Sequence, residues 1–290
     1  MGFFSNDYPD RMPFLERMGK ERRFRKAVKA SKQQHGQPRF VLVHPDWPSK
    51  RASIMAYADA LGWAVTNRKD TPARYKGQVR IQLAFDDRTE KREAQPGMWN
   101  GHCLDISKST LDRHHQAVFG YGVNVDPAAH KGPMLEKSEG NAVHDGREIQ
   151  GPLSQDQLQP GKVYQRIIDN CTEGGLFEDL RVVIIRGEVP VVYRKRKTGA
   201  VRYTNETAEV DLTKSPKTVL SESEIDQIVS LSAKMCADFA ELDVLRDRQD
   251  GRMYCVDLNP TPFGPPAGLP TVDTERAMAV AKRVLVDLLG

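Results

Sequence analysis

The stretch Leu242-Asp-Val-Leu-Arg-Asp-Arg-Gln-Asp-Gly-Arg-Met-Tyr-Cys-Val-Asp-Leu-Asn259 sets two apolar runs on either side of Gln249-Asp250-Gly251. Such runs around a short loop with glycine at its left-handed position predict a β-hairpin. A turn centred on Asp250 makes Asp243 and Asp257 cross-strand neighbours. Like charges directly opposite destabilise a sheet, and a cation between them removes the conflict. Asn259 lies two residues beyond Asp257 and shares its face, because side chains alternate along a strand. Two carboxylates and an amide oxygen form a hard oxygen site that suits magnesium shared with phosphates. The hairpin alone is equally consistent with two acids that simply face solvent.

Upstream, Glu136-Lys-Ser-Glu-Gly-Asn-Ala-Val-His-Asp-Gly146 follows a predicted strand, Met134-Leu-Glu-Lys137. Small residues let backbone amides approach phosphate oxygens, and Lys137 adds a point charge. The spacing is neither the Walker pattern nor the dinucleotide pattern. On its own, a plain hairpin turn reads as well.

Further out, Phe40-Val-Leu-Val-His44, a helix ending at Leu61, and strands at Trp63 to Thr66 and Val79 to Phe85 predict a small parallel α/β subdomain. Its loop Pro45 to Arg51 lies at the carboxyl edge of the sheet, where such folds hold ligands. A helix is predicted from about Asp105 to Phe119, stopped by Gly120. Arg181 to Ile185 and Val189 to Tyr193 predict a second hairpin across Arg186-Gly-Glu188, so the second sheet is mainly antiparallel. Ser221 and Glu224 form a capping box before Ile225, Ile228, Val229, Met235, Cys236 and Phe239 on one helical face. A last amphipathic helix spans about Thr274 to Leu289. The expected organisation is a basic arm at 1–37, a pre-grasp α/β subdomain at 38–100, a central subdomain with the Gly-rich loop at 101–170 and a C-terminal subdomain with the metal site at 171–290.

At 290 residues, 39% hydrophobic, 28% charged and a formal net charge of +4, the composition excludes collagenous, coiled-coil and largely disordered classes. No apolar run reaches the roughly 18 residues needed to span a bilayer, and the N-terminus lacks a signal-peptide plan, so a cytoplasmic protein is expected. Cys103, Cys171, Cys236 and Cys255 lack zinc-site spacing and read as reduced structural filler. The basic run Lys20 to Lys32 could meet nucleic acid or another polyanion, though a solvated helix or loose arm is the plainer reading. His114 and His115 are consecutive, cannot form an i, i+4 zinc pair, and read as surface residues.

Taken in order, these residues resemble the ATP-grasp superfamily over roughly 100 to 265. The resemblance implies an α/β fold in which a small parallel subdomain precedes two α+β subdomains gripping ATP. Lys108 and Lys137 occupy the places of the two phosphate lysines, and Gly140, Asn141 and Ala142 look like the loop that folds over the phosphates. Gln165, Arg166 and Ile167 look like the strand whose backbone reads adenine, with Asp169 as a ribose contact. Asp179-Leu-Arg181 resembles the start of the C-terminal subdomain, which places Arg181 at the nucleotide. Arg194 and Asn205 resemble the cation and amide that face the phosphates. Asp243, Asp257 and Asn259 match the metal ligands in order.

The resemblance further implies ATP and magnesium as cofactors, with two ions and manganese as a substitute, and a carboxylate-amine ligase that forms an acyl phosphate. Lys137 and Arg194 are then the catalytic cations. The D-alanine ligase branch has an arginine where this chain has Glu241, and the loop Pro260 to Pro266 lacks the usual arrangement for an amino-acid carboxylate. A phosphotransferase on the same fold is therefore the alternative, and an adaptor without chemistry a third reading. A homodimer would be usual for such proteins.

Overall fold

The apolar run Phe40 to Val43 can only be covered on both faces, as strands of parallel sheets are. In the computed structural model, which describes residues 4–8, 12–91, 93–143, 145–204 and 206–290, it becomes β1 (Arg39–Pro45). Around it lie α1 (Phe14–His35), α2 (Ser53–Leu61), β2 (Ala64–Thr66), α3 (Thr71–Arg74) and β3 (Gln78–Phe85), with β1 parallel to both other strands in the order β2-β1-β3.

The stretch expected as an arm is largely α1. The physical reason is a short apolar stripe: Phe24 and Val28 pack on Phe40 and Ala64, while Glu21 accepts from Ser5 and Arg25. Arg22, Arg23, Lys26, Lys29 and Lys32 stay exposed.

The next unit holds α4 (Lys108–Phe119), β4 (Gly132–Ser138), β5 (Arg147–Gly151) and β6 (Lys162–Arg166). Ser107 caps α4 through its side chain and Gly120 ends it at φ 81°. The three strands form an antiparallel sheet in the order β5-β4-β6. Then follow β7 (Phe177–Ile185), β8 (Val192–Lys197), β9 (Glu209–Leu212), α5 (Glu222–Lys234), β10 (Phe239–Arg246), β11 (Met253–Asn259) and α6 (Thr271–Leu289), with the strands antiparallel in the order β11-β10-β7-β8-β9.

The five-stranded sheet has two unlike faces. On one, Leu180, Val182, Ile184, Leu242, Val244 and Leu258 pack against Leu111 of α4 and Ile228 and Leu231 of α5. The capping box of Ser221 and Glu224 is present. Phe239, however, lies on β10 and not on the face of α5, because Cys236 turns to φ 53° and breaks the helical period. On the other face, Val183, Ile185, Tyr193 and Phe239 join Tyr57 of α2 and Leu285 of α6. Beyond that apolar end, this second face is polar and looks into a cleft.

His115 departs from its surface reading. It is fully buried, stacked on Phe119 at 4.2 Å and edge-on to Tyr121 at 5.4 Å, and neither ring nitrogen has a hydrogen-bond partner among the described residues. Burial pulls its imidazole down to about 4. Among the described residues, no helix is long and apolar enough to cross a membrane.

Candidate active site

The hairpin β10–β11 sets Asp243 opposite Asp257 and Glu241 opposite Asn259, so all four side chains share one face. Nearer the turn the pairing is Val244 with Cys255 and Arg246 with Met253, so the turn lies half a residue earlier than a centre on Asp250. A β-bulge supplies the missing step, with Val256 as the extra residue on β11.

The next strand changes the electrostatics. Arg181 of β7 stands opposite Asp243, its Nε 2.9 Å from Asp243 Oδ1 and its Nη2 3.1 Å from Oδ2. Burial alone would raise the Asp243 carboxyl, but this guanidinium outweighs burial and holds it at about 2. The two opposed acids are therefore not an unrelieved pair, because Arg181 neutralises one of them. Asp257 has no ion pair within 4.0 Å among the described residues. Burial and the charge of Asp243 hold its carboxyl above the usual range, and Lys108 and Lys137 only partly oppose this. Glu241, 2% exposed, is pushed up to about 7 by burial.

Lys137 projects from β4 towards the same place, its Nζ 3.5 Å from the carbonyl oxygen of Val256. Burial lowers its ammonium to about 8, against the pull of Asp257 and with the repulsion of Lys108. Lys108, the first residue of α4, donates to the Gly140 carbonyl at 2.8 Å. The Gly-rich loop is pinned at its base, where Ser138 donates through N and Oγ to Asp145 at 2.8 and 2.6 Å and Lys162 pairs with the same carboxylate. Its tip meets the first subdomain through Asn141 N, which donates to Thr89 Oγ1 at 2.8 Å.

Two adjoining cavities open over this floor. One, of about 170 Å³, is lined by Lys108, Lys137, Gly140, Arg181 and Asp257 together with the end of β6. The other, of about 630 Å³, shares Ala142, Arg181, Asp243 and Asp257 with the first and extends to Arg51, Glu241, Asn259 and Phe263.

No family model matches the sequence, and no curated protein matches it. Among solved structures, the L-amino acid ligase of Bacillus licheniformis aligns with a TM-score of 0.50 at 12% identity, covering 86% of this chain and 74% of that one. A D-alanine–D-alanine ligase of Bacillus anthracis aligns at 0.49 and 12%, over 87% and 96%. The ATP-grasp ligase PsnB, complexed with minimal precursor, Mg and ADP, aligns at 0.42 and 16%, over 63% of this chain, which spans 58% of PsnB. The chain has the ATP-grasp fold.

Within this ATP-grasp cleft, the structure brings together most of the residues expected there. Lys108, Lys137, Gly140 and Ala142 line the smaller cavity, as do Gln165, Arg166 and Ile167 beside Arg181, Asp243 and Asp257. Asn141 and Asn259 line the larger one. Asp169 is not in the cleft lining; it pairs with Arg248 at 3.0 Å. Arg194 is on the opposite face of β8, bound to Asp211 at 2.8 Å, since Leu180 of the core face is its register partner. Asn205 and His144 lie outside the described residues.

Lys195 and Lys197 take the cleft positions on β8 instead, and reading the sequence missed them. Lys197 is 2.9 Å from Asp179, and burial lowers the Lys195 ammonium. The signal was present in the second hairpin itself. A turn centred on Gly187 makes Tyr193 the partner of Arg181, so Lys195 shares the face of Arg181 and Arg194 cannot.

The donor set fits a hard divalent cation. Asp257 offers a carboxylate with no countercharge. Asp243 keeps lone pairs beyond the two taken by Arg181, while Asn259 Oδ1 already accepts from Thr261 N at 2.9 Å and Oγ1 at 3.2 Å.

Proposed function

We propose that this chain is an ATP- and magnesium-dependent ligase that activates a carboxylate as an acyl phosphate and joins it to an amine or similar nucleophile. The observation that carries the reading is the meeting of Lys108, Lys137 and Arg181 with the uncompensated carboxylate of Asp257 in one cleft. Ligases among the solved structures of like fold are in keeping with it.

Asp257, Asp243 and Asn259 would hold magnesium, which when bound supplies positive charge to the phosphates. Lys108 and Lys137 bind the phosphates, the backbone from Gln165 to Ile167 receives the adenine, and Gly140 to Ala142 cover the triphosphate. Lys195 takes the role first read for Arg194. A substrate carboxylate oxygen then bonds to the γ-phosphorus as the bond to the ADP oxygen breaks. The neutral nucleophile next bonds to the acyl carbon, inorganic phosphate leaves, and the nucleophile's proton passes to solvent. Catalysis rests on positioning and charge neutralisation.

Phosphate transfer to a hydroxyl has less support. The arginine missing at position 241 argued for it, but the Arg181 guanidinium lies 3.5 Å from Glu241 and supplies a cation there.

The test is ADP release with magnesium across a panel of carboxylates and amines, where inorganic phosphate appears only with both substrates. Lys137→Ala should weaken ATP binding at least about tenfold, the scale of a lost charged hydrogen bond, whereas Cys103→Ala and His114→Ala should not. Absence of calorimetric binding at millimolar ATP with magnesium would overturn the reading.

A further inference from the structure

The wall of the larger cavity contains a buried carboxylate that the protein leaves incompletely satisfied. Glu241 is 2% exposed, and its Oε2 has no hydrogen-bond partner among the described residues. Ser53, also 2% exposed, sits at the start of α2 in the first subdomain, and its Oγ has no partner either. These two atoms belong to different units of the chain, yet they converge. A Cβ built on Gly264 would lie 3.1 Å from Glu241 Oε1 and 3.0 Å from Ser53 Oγ. Buried polar atoms nearly always find partners, and each one left without costs about 1–3 kcal/mol. Two such groups around one point, beside a residue with no side chain, mark a place for a third group.

The chemistry of that group follows from its neighbours. An ionised carboxylate only accepts hydrogen bonds, and a hydroxyl can also accept. Arg181 does not complete Glu241, because its Nε and Nη2 are bound to Asp243 and its Nη1 remains 3.5 Å away. A divalent cation is disfavoured, since the Arg181 guanidinium already reaches both carboxylates. A substrate carboxylate or phosphate would meet repulsion. A primary ammonium carries three donors and the opposite charge.

We propose that Glu241 and Ser53 bind an ammonium group of the acceptor substrate, at the Gly264 edge of the larger cavity. The inference rests on the ligase reading and adds the charge of the second substrate. The position that holds arginine in the D-alanine ligase branch would here select a cation.

The experiment uses the full chain with ATP and magnesium. L-Alaninamide, L-phenylalaninamide and L-lysinamide, which carry an ammonium and no carboxylate, are titrated calorimetrically beside N-acetyl-L-alanine and 1-propanol. At least one amide should bind, and the other two probes should not bind at this site. Glu241→Gln should weaken amide binding at least about tenfold, and Ser53→Ala less, on the scale of lost charged and neutral hydrogen bonds. Gly264→Ala, which places a methyl group at the point itself, should weaken it as much as Glu241→Gln. ATP affinity should hold within about twofold in all three variants, which is near the error of additivity for independent sites. Thermal melts report whether each variant is folded. The proposal is overturned if no amide binds, or if the folded variants bind amide as wild type does, which would leave only a water at this point. Failure of ATP itself to bind would overturn the ligase reading instead.

Discussion

The hairpins β7–β8 and β10–β11 lie in one sheet and turn charged residues into the same cleft, but they balance those charges differently. On β7–β8, Lys197 is matched by Asp179 and Arg181 reaches across to Asp243, while Lys195 has no ion pair within 4.0 Å among the described residues. On β10–β11, Asp243 is matched and Asp257 is not. The matched pairs hold the strands in register and hold each other. The unmatched residues, one of each sign, are the groups free to act on a ligand: Lys195 for an anion and Asp257 for a cation.

The widest separation between the two kinds should appear in stability. Arg181→Ala leaves Asp243 buried without its partner, and a denaturant melt in chelator should show a loss of about 3 kcal/mol. This is the low end for a broken buried pair, because both side chains are partly exposed. Asp257→Asn removes an uncompensated charge, so it should leave the metal-free fold unchanged or stabilise it by a few tenths to about 1 kcal/mol, while abolishing ADP release. Equal losses in the two variants would erase the distinction between matched and unmatched acids.

A second pair of variants asks the same question of β8. Lys195→Ala should lower kcat/KM for ATP about 10²-fold, the scale of one lost electrostatic contact to a transferred phosphoryl group. Arg194→Ala removes an ion pair on the far face and should cost about 0.2–1 kcal/mol of stability with little change in rate. The reverse pattern in ADP-release kinetics would return Arg194 to the site.

The smallest effect concerns the packing behind β11, where His115 stacks near Tyr254. Its imidazole titrates at about 4 in the fold against a reference of 6.5. Between those values the unfolded chain binds more protons, so stability should fall as pH falls, by about 1 kcal/mol near pH 5.5. His115→Phe should flatten this part of the pH profile. An unchanged slope would assign the titration to another group.

The two hairpins also differ in how far they could be read from sequence. Asp243, Asp257 and Asn259 were legible because polar residues alternate with apolar ones, which fixes which side each faces. The expected pairing of the two acids held even though the turn lies half a residue away, because the bulge offsets the error. In Val191-Val192-Tyr193 and Arg194-Lys195-Arg196-Lys197 every residue of a run is of one kind, so alternation gives no side, and Arg194 was taken for Lys195. Only the pairing with Arg181 decides it. Arg181 as the partner of Asp243 was not legible, because β7 lies some sixty residues upstream and nothing local sets its register against β10. His115 was misread because a consecutive histidine pair says nothing about which ring faces the core.

The bulge at Val256 carries a mechanical consequence. A regular strand commits its carbonyls to its neighbour, whereas a bulged residue is left partly unpaired. The Val256 carbonyl lies 3.5 Å from Lys137 Nζ, one residue before Asp257. The lysine that would meet a phosphate and the carboxylate that would meet its metal are thus tethered to one point, although they belong to different sheets. Removing Val256 would keep Asp243 opposite Asp257 and cut that tether, leaving two halves of a grip with nothing to keep their spacing when the cleft moves.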